Sequence, residues 1–213
     1  MGLWLVRGGK FGEYEEHFLS AGEVNLTWEG LQSTDLSVAK DYEAIRKIVF
    51  ETYPDQGARK LGNWAGQIWA FVIAIDPGDW VVLPRKFQGS IAIGEVTRDY
   101  EYVVDAEPMR RHVRRVRWLN TEIPRSVFDQ DILYSFGAFL TVCKIQRNDA
   151  EARVRALAKA SWKSQGVAGA LSVASPSASP SAPEPDESVI DLERIGADQI
   201  AQLIERRFKG HGL

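Results

Sequence analysis

The residue types that carry most enzymatic chemistry are thinly spread along this chain. Its three histidines, His17, His112 and His211, fall in no HxxxH or HExxH spacing, so they predict no metal site. The one cysteine, Cys143, excludes an internal disulfide and a cysteine-rich zinc site. Within "FLTVCKI" it reads as a small hydrophobe on a buried strand. No P-loop, Rossmann fingerprint or GxSxG occurs. In "GSIAIGEV" the glycines are too few, and a strand follows where a helix is required. Asp129 and Asp131 in "FDQD" leave two readings: a metal or acid–base pair, or carboxylates complementing the dipole at a helix start. No catalytic residue, metal ligand or cofactor is predicted.

Recognition chemistry is better represented. "LGNWAGQIWAF" (61–71) places Asn63 and Gln67 four residues apart, on one helical face beside an apolar stripe. Buried amides need partners, and an amide at a pocket wall can read the edge of a base. Trp64 lies on the stripe, and Trp28 ends a strand before a loop. Core packing accounts for tryptophans so placed, but an aromatic slot with a few amides is also what stacking and edge-reading of a nucleobase require. Asp35 and Ser135 fall on segments expected to converge on the same pocket.

The second feature is "MRRHVRRVRW" (109–118), with five arginines and one histidine. On a strand, Arg110, His112 and Arg114 share a face with Trp118, and Arg111, Arg115 and Arg117 share the other with Val113. A charged edge strand guarding against aggregation, paired with the acidic "DYEYVVDAE", is one reading. A phosphate track is the other, since arginine pairs bidentately with phosphate. Arg110, Arg111, Arg114 and Arg115 would form it, and Arg85 and Lys86 would extend it. The net charge of −3 does not advertise a nucleic-acid binder, but local patches decide contacts.

These residues need a scaffold, and the pattern predicts a mixed α/β one. "LWLVR" (3–7) and "EVNLTW" (23–28) read as strands around a short helix in "GEYEEHFLSAG". A helix follows from Thr34 or Asp35 to Pro54, with apolar residues at 38, 42, 45, 48 and 49 on one face. A second covers roughly 57–75, with Leu61, Trp64, Ala65, Ile68, Val72 and Ile75 as its stripe. "DPGD" turns the chain into strands at 80–84, 90–103 and 112–119. A short helix, the last strand "AFLTVCKIQ" and a helix capped by Asn148 or Asp149 complete a domain over 1–160. No apolar run reaches the roughly 20 residues that cross a bilayer. The opening "MGLWLVRGGKFGEYEE" reads as a first strand rather than a signal peptide. The lone cysteine points to a reducing compartment, hence the cytoplasm. Residues 166–188 are rich in Ser, Ala and Pro without apolar period, the composition of a flexible linker. Residues 189–213 resume a helical pattern, as the start of a further domain would.

The stretch "NWAGQIWAFVIAIDPGDWVVLPRKFQGSIAIGEVTRDYEYV" resembles the central motif of EVE domains, relatives of the PUA and YTH folds. Asn63 matches the motif Asn, "PGD" the end of the helix, and "IAIGEV" the strand that crosses the barrel. "ILYSFGAFLTVCKI" is similar to the closing segment, with Ser135 in its turn. Upstream, "ARKLGN" stands where the family usually has Trp-x-Gly-Val-Arg. A wider resemblance joins "WLVRGGKFGEYEEHFL", "LGNWAGQIWAF", "PRSVFDQDILYSFGAFLTVCKIQRNDAEAR" and "IERRFKGHGL" to the amino-terminal region of bacterial Mrr-type restriction endonucleases. That region precedes a PD-(D/E)xK nuclease domain, whose catalytic motif does not occur here. The resemblance implies a PUA/EVE-like fold, with a curved mixed β-sheet or barrel and helices packed outside. It also implies a role in reading a modified base of double-stranded DNA, flipped into an aromatic pocket of Trp28, Asp35, Asn63, Trp64, Gln67 and Ser135. A protein-interaction or small-ligand sensor regulating a downstream effector is the alternative.

Overall fold

β1 (Leu3–Val6) is buried along its whole length, yet its side chains divide. Trp4 and Val6 join one apolar cluster, and Leu3 and Leu5 another, as the two-residue period of a strand requires. The same division runs through β3 (Trp80–Pro84), where Val81 and Leu83 face the first cluster and Trp80 and Val82 the second. The sheet is therefore covered on both faces, which is why "LWLV" and "WVVLP" read as near-continuous apolar runs.

This computed structural model describes residues 1–163. The expected linker 166–188 and the segment 189–213 lie outside the described residues. The sheet order is β2 (Glu23–Asn25), β6 (His112–Pro124), β4 (Ser90–Val96), β3, β1, β7 (Val142–Lys144), with β5 (Glu101–Tyr102) pairing β6 off this path. β1 and β3 are parallel, and the other pairs are antiparallel. The fold is mixed α/β, as the sequence pattern predicts. Its sheet is strongly curled into a half-barrel that stays open between β2 and β7.

The curl has local causes. The β4–β6 register shifts between Ile91 and Ile93 and again between Ile93 and Gly94, and such bulges bend a strand and increase its twist. At the bend, a Cβ on Gly94 would lie 2.3 Å from Val116 and 2.8 Å from Trp118. Only glycine lets the two strands approach so closely.

The first cluster is roofed by α2 (Tyr42–Thr52), which buries Ile45 and Val49, and by α3 (Ala58–Trp69), which buries Leu61, Ala65 and Ile68. α1 (Glu15–Ala21) adds Phe18. α4 (Gln130–Phe136) and α5 (Ala150–Lys159) cover the second cluster with Ile132, Phe136 and Val154. α3 runs on into a π-helical turn, Ala70–Ala74, closed by Ile75 N–H donating to the Ala70 carbonyl at 3.0 Å. No helix among the described residues is long and apolar enough to cross a membrane.

Several boundaries differ from the sequence reading. Asp35 does not start α2. Its carboxylate accepts from Ser37 N–H and caps an isolated 3-10 turn, Leu36–Val38, while Asp41 caps α2 through Ala44 N–H, both at 2.8 Å. The extended backbone of Ala39 separates the two turns. Of the two residues expected at the start of α5, Asp149 takes the N-cap position, but its side chain makes no cap hydrogen bond. Both are left-handed, at φ 52° and 51°, and Asn148 donates instead to Asp131. β2 stops at Asn25, three residues short of Trp28, and β6 runs on to Pro124.

Candidate functional site

The first turns of α3 bring three aromatic rings together. Trp64 meets Trp28 edge to face at 5.8 Å between centroids and Tyr53 at 5.1 Å. All three are partly buried and packed against the first cluster. The Tyr53 hydroxyl donates to the Glu29 carbonyl, and burial pushes this phenol up to about 12, so it stays a donor. That contact clamps the loop after Trp28. Gly30, left-handed at φ 94°, accommodates it, because a Cβ there would lie 2.8 Å from the Tyr53 ring. Lys60 Nζ stands 4.8 Å from the Trp64 ring centroid. Edge-to-face rings with a cation over one of them offer dispersion and π-face contact to a planar ligand. Trp28 and Trp64, predicted together from sequence, are together. Tyr53 was not predicted, and its position just before Pro54, where α2 ends, is the one signal that marks it.

The two amides divide their tasks. Gln67 is 8% exposed, and its Oε1 accepts from Thr141 N–H at 2.8 Å and Val142 N–H at 3.2 Å. Backbone N–H groups can only donate, so the Gln67 amide is fixed with its NH2 group turned the other way. That group donates to Asn63 Oδ1 at 2.7 Å, which assigns the other end of the Asn63 amide, Nδ2, as a donor. Gln67 therefore ties α3 to β7, and of the two amides it is half-buried Asn63 whose NH2 group is not committed to that tie. Asp35 is exposed and occupied with its cap. Ser135 is not brought to the rings. Its hydroxyl donates to Asp131 O within α4, which covers the opposite face of the sheet.

The arginines correct the phosphate-track expectation. Arg114 is 2% exposed. Its Nε and Nη2 donate to the Phe71 and Val72 carbonyls, both at 2.8 Å, and burial lowers its pKa to about 10. The even-numbered face of β6 thus points into the half-barrel, and Arg114 satisfies carbonyls at the π-helical turn. Arg85 is also buried, held by Glu15 and Glu16. Neither can grip a phosphate. Arg111 donates to the Ala106 and Gln32 carbonyls. Arg115 pairs with Glu23 at 2.5 Å and Glu101 at 3.4 Å, and Arg110 with Glu107 at 3.3 Å. Arg110 and Arg115, with His17, Glu23, Glu107 and Val113, line a groove of about 240 Å³. Lys86 is exposed at the β3–β4 turn and donates to the Lys10 carbonyl.

His112, read from sequence only as a lone histidine, belongs to a buried relay. Its Nε2 faces the Leu31 carbonyl at 3.0 Å, so Nε2 carries the hydrogen, and Nδ1 accepts from the Tyr100 hydroxyl at 2.7 Å. Burial lowers the imidazole pKa, and burial raises that of the Tyr100 phenol well above its ordinary value. Asp129 and Asp131 both bind Arg153, at 2.6 and 2.7 Å, and Arg153 holds the Asp131 carboxyl far below the usual range. Burial pushes the Cys143 thiol up to about 11, in keeping with an inert hydrophobe. Among the described residues, no group of three or more His, Cys, Asp or Glu side chains could hold a metal ion.

Comparison with known families matches residues 4–136 to one described as "Domain of unknown function (DUF8426)", and the chain belongs to that family. No curated protein and no solved structure matches the chain.

Proposed function

We propose that this DUF8426 domain recognises a modified base in double-stranded DNA, extruded from the duplex and stacked against the Trp28–Tyr53–Trp64 cluster. The observation that carries this reading is the meeting of three partly buried rings, with Asn63 next to Trp64 in sequence and its Oδ1 engaged by Gln67, so that its NH2 group is the free-handed donor of the amide. Enzymes and readers that act on a base within a duplex must take it out of the stack, and they then hold it by ring stacking and edge hydrogen bonds. Asn63 Nδ2 would meet an acceptor atom on the base edge. The resemblance to EVE-type and Mrr-type sequences supports the same reading. In it the chain is the recognition part of a restriction endonuclease of the cytoplasm, with a nuclease domain beyond the linker, serving phage defence. The chain itself carries no catalytic role. Phosphate contacts fall to Arg110, Arg111, Arg115 and Lys86.

The test is a binding series with the 213-residue chain. It compares duplexes carrying 5-methylcytosine, 5-hydroxymethylcytosine or N6-methyladenine with unmodified DNA at several salt concentrations. Preference for one modified duplex, with affinity falling steeply as salt rises, supports the proposal. Equal affinity for all four, or none at low salt, sinks it. The groove between Arg110 and Arg115 favours a second reading, a sensor of a small polar ligand that regulates an effector. Absence of DNA affinity would leave that reading standing.

A further inference from the structure

We propose that His112 and Tyr100 form a proton-operated latch on the loop that sets Trp28, so that one proton taken up by His112 parts the Trp28 ring from Trp64 and releases what the ring cluster holds. The ligand in this proposal rests on the modified-base reading, whereas the latch rests on hydrogen bonds alone. The loop runs from Trp28, past the end of β2, to the 3-10 turn Leu36–Val38. Side chains of other segments reach its carbonyls. Tyr53 donates to Glu29, and Tyr102 and Arg111 donate to Gln32 at 3.0 and 3.3 Å. Between these stands the Leu31 carbonyl, which takes the Nε2 hydrogen of His112 at 3.0 Å. Leu31 N–H donates in turn to the Trp28 carbonyl at 3.3 Å. The imidazole is thus coupled to the Trp28 backbone through a single residue.

The direction of each bond in the relay is fixed by its neighbours. The Leu31 carbonyl can only accept, so Nε2 keeps its hydrogen, and Nδ1 accepts from the Tyr100 hydroxyl at 2.7 Å. Leu36 N–H, a second donor, lies beside the same hydroxyl oxygen. A proton on Nδ1 therefore turns two N–H groups and the phenolic O–H towards one oxygen, around a ring that is 1% exposed. Little around the new charge compensates for it. Arg111 and Arg114 are its neighbours on β6, Tyr102 is neutral, and the carboxylate that attracts it, Asp35, is exposed and engaged with Ser37 N–H. β6 is paired to β2, β4 and β5 and holds its place. The loop, exposed at Glu29 and Gly30, gives way instead. Burial lowers the imidazole pKa, so the latch stays shut above the ordinary value of about 6.5 and opens as pH falls through the folded one.

The experiment follows the 213-residue chain by NMR from neutral pH down to the onset of acid unfolding. The His112 ring signals are assigned with His112→Gln, and the indole N–H signals with Trp28→Phe and Trp64→Phe. Trp28 and Trp64 are expected to shift with the His112 midpoint and to lose their mutual ring contacts below it. Trp118, whose Nε1 donates to the Phe18 carbonyl, should not follow. Affinity for duplexes carrying 5-methylcytosine, 5-hydroxymethylcytosine or N6-methyladenine is read over the same range. For the duplex that binds best, it should be constant above the midpoint and fall by up to about tenfold per pH unit below it. His112→Gln can still donate to Leu31 but cannot titrate, and it should abolish the fall. Trp28 and Trp64 signals that ignore the His112 midpoint overturn the latch, as does a His112 ring that stays neutral until the chain unfolds. An undiminished fall in His112→Gln overturns it too. Ring signals that follow the midpoint, with no affinity for any duplex, sink the modified-base reading and leave the latch standing.

Discussion

Arg114 carries a charge into the half-barrel and donates to two carbonyls there. Arg114→Ala would strand both carbonyls in an apolar setting, at a cost of about 2–5 kcal/mol. Denaturant unfolding should show that loss, while the salt dependence of DNA binding by the folded variant stays as in the parent. Gln67 and Asn63 should separate in the same way. Gln67→Ala leaves the Thr141 and Val142 N–H groups without an acceptor and should destabilise by about 1–3 kcal/mol. Asn63→Ala should cost no more than about 1 kcal/mol and instead erode discrimination among modified duplexes. An Asn63→Ala variant with full discrimination would move the pocket elsewhere. His112 gives a pH prediction. Its folded-state pKa lies below the unfolded value of about 6.5, so its contribution is fully present above that value and is lost as pH falls through the folded pKa. The groups around it are Tyr100, Tyr102, Asp35, Arg111 and Arg114. Urea midpoints should fall from pH 7 towards about pH 5, and His112→Gln should flatten that limb. The alternation of "RRHVRR" was legible. Which face points inward was not, because both faces carry charge, and the decision rests on carbonyls that a distant helix supplies.

At the level of elements, α3 was the most legible, since its apolar period spans the full helix and continues through the π-turn. The start of α2 was not. Asp35 and Asp41 are equally good caps by type, and only the burial of Leu36 and Ala39 beneath the roof gives Asp35 a turn of its own. Ser135 was misplaced for a related reason: the chain folds α4 under the sheet before returning to Thr141. α5 depends on Arg153, which bridges to Asp129 and Asp131 of the α4 start. Arg153 is one-third exposed, so its removal should matter locally. In Arg153→Ala, amides of α5 should exchange faster with solvent, while those of β3 and β4 keep their protection. Equal protection in α5 would mean that Val154 and its apolar neighbours hold the helix unaided.

Across the described residues, the mixed α/β class and the two-sided burial of the sheet were legible, because unbroken apolar runs at 3–6 and 80–84 have no other economical use. The direction of curl was not, since it arises from register shifts and from the space that Gly94 leaves empty. The C-terminal end of α3 and the π-turn that continues it carry two polar fixings about one turn apart: Gln67 to Val142 of β7, at one margin of the half-barrel, and the Phe71 and Val72 carbonyls to Arg114 of β6, next to the other. A closed barrel resists splaying through its continuous ring of strand pairing. Here a roof of helices does it, as a tie-beam does for an open arch. The apolar roof holds the vault from within, and the short stretch 67–72 adds a polar link to each side.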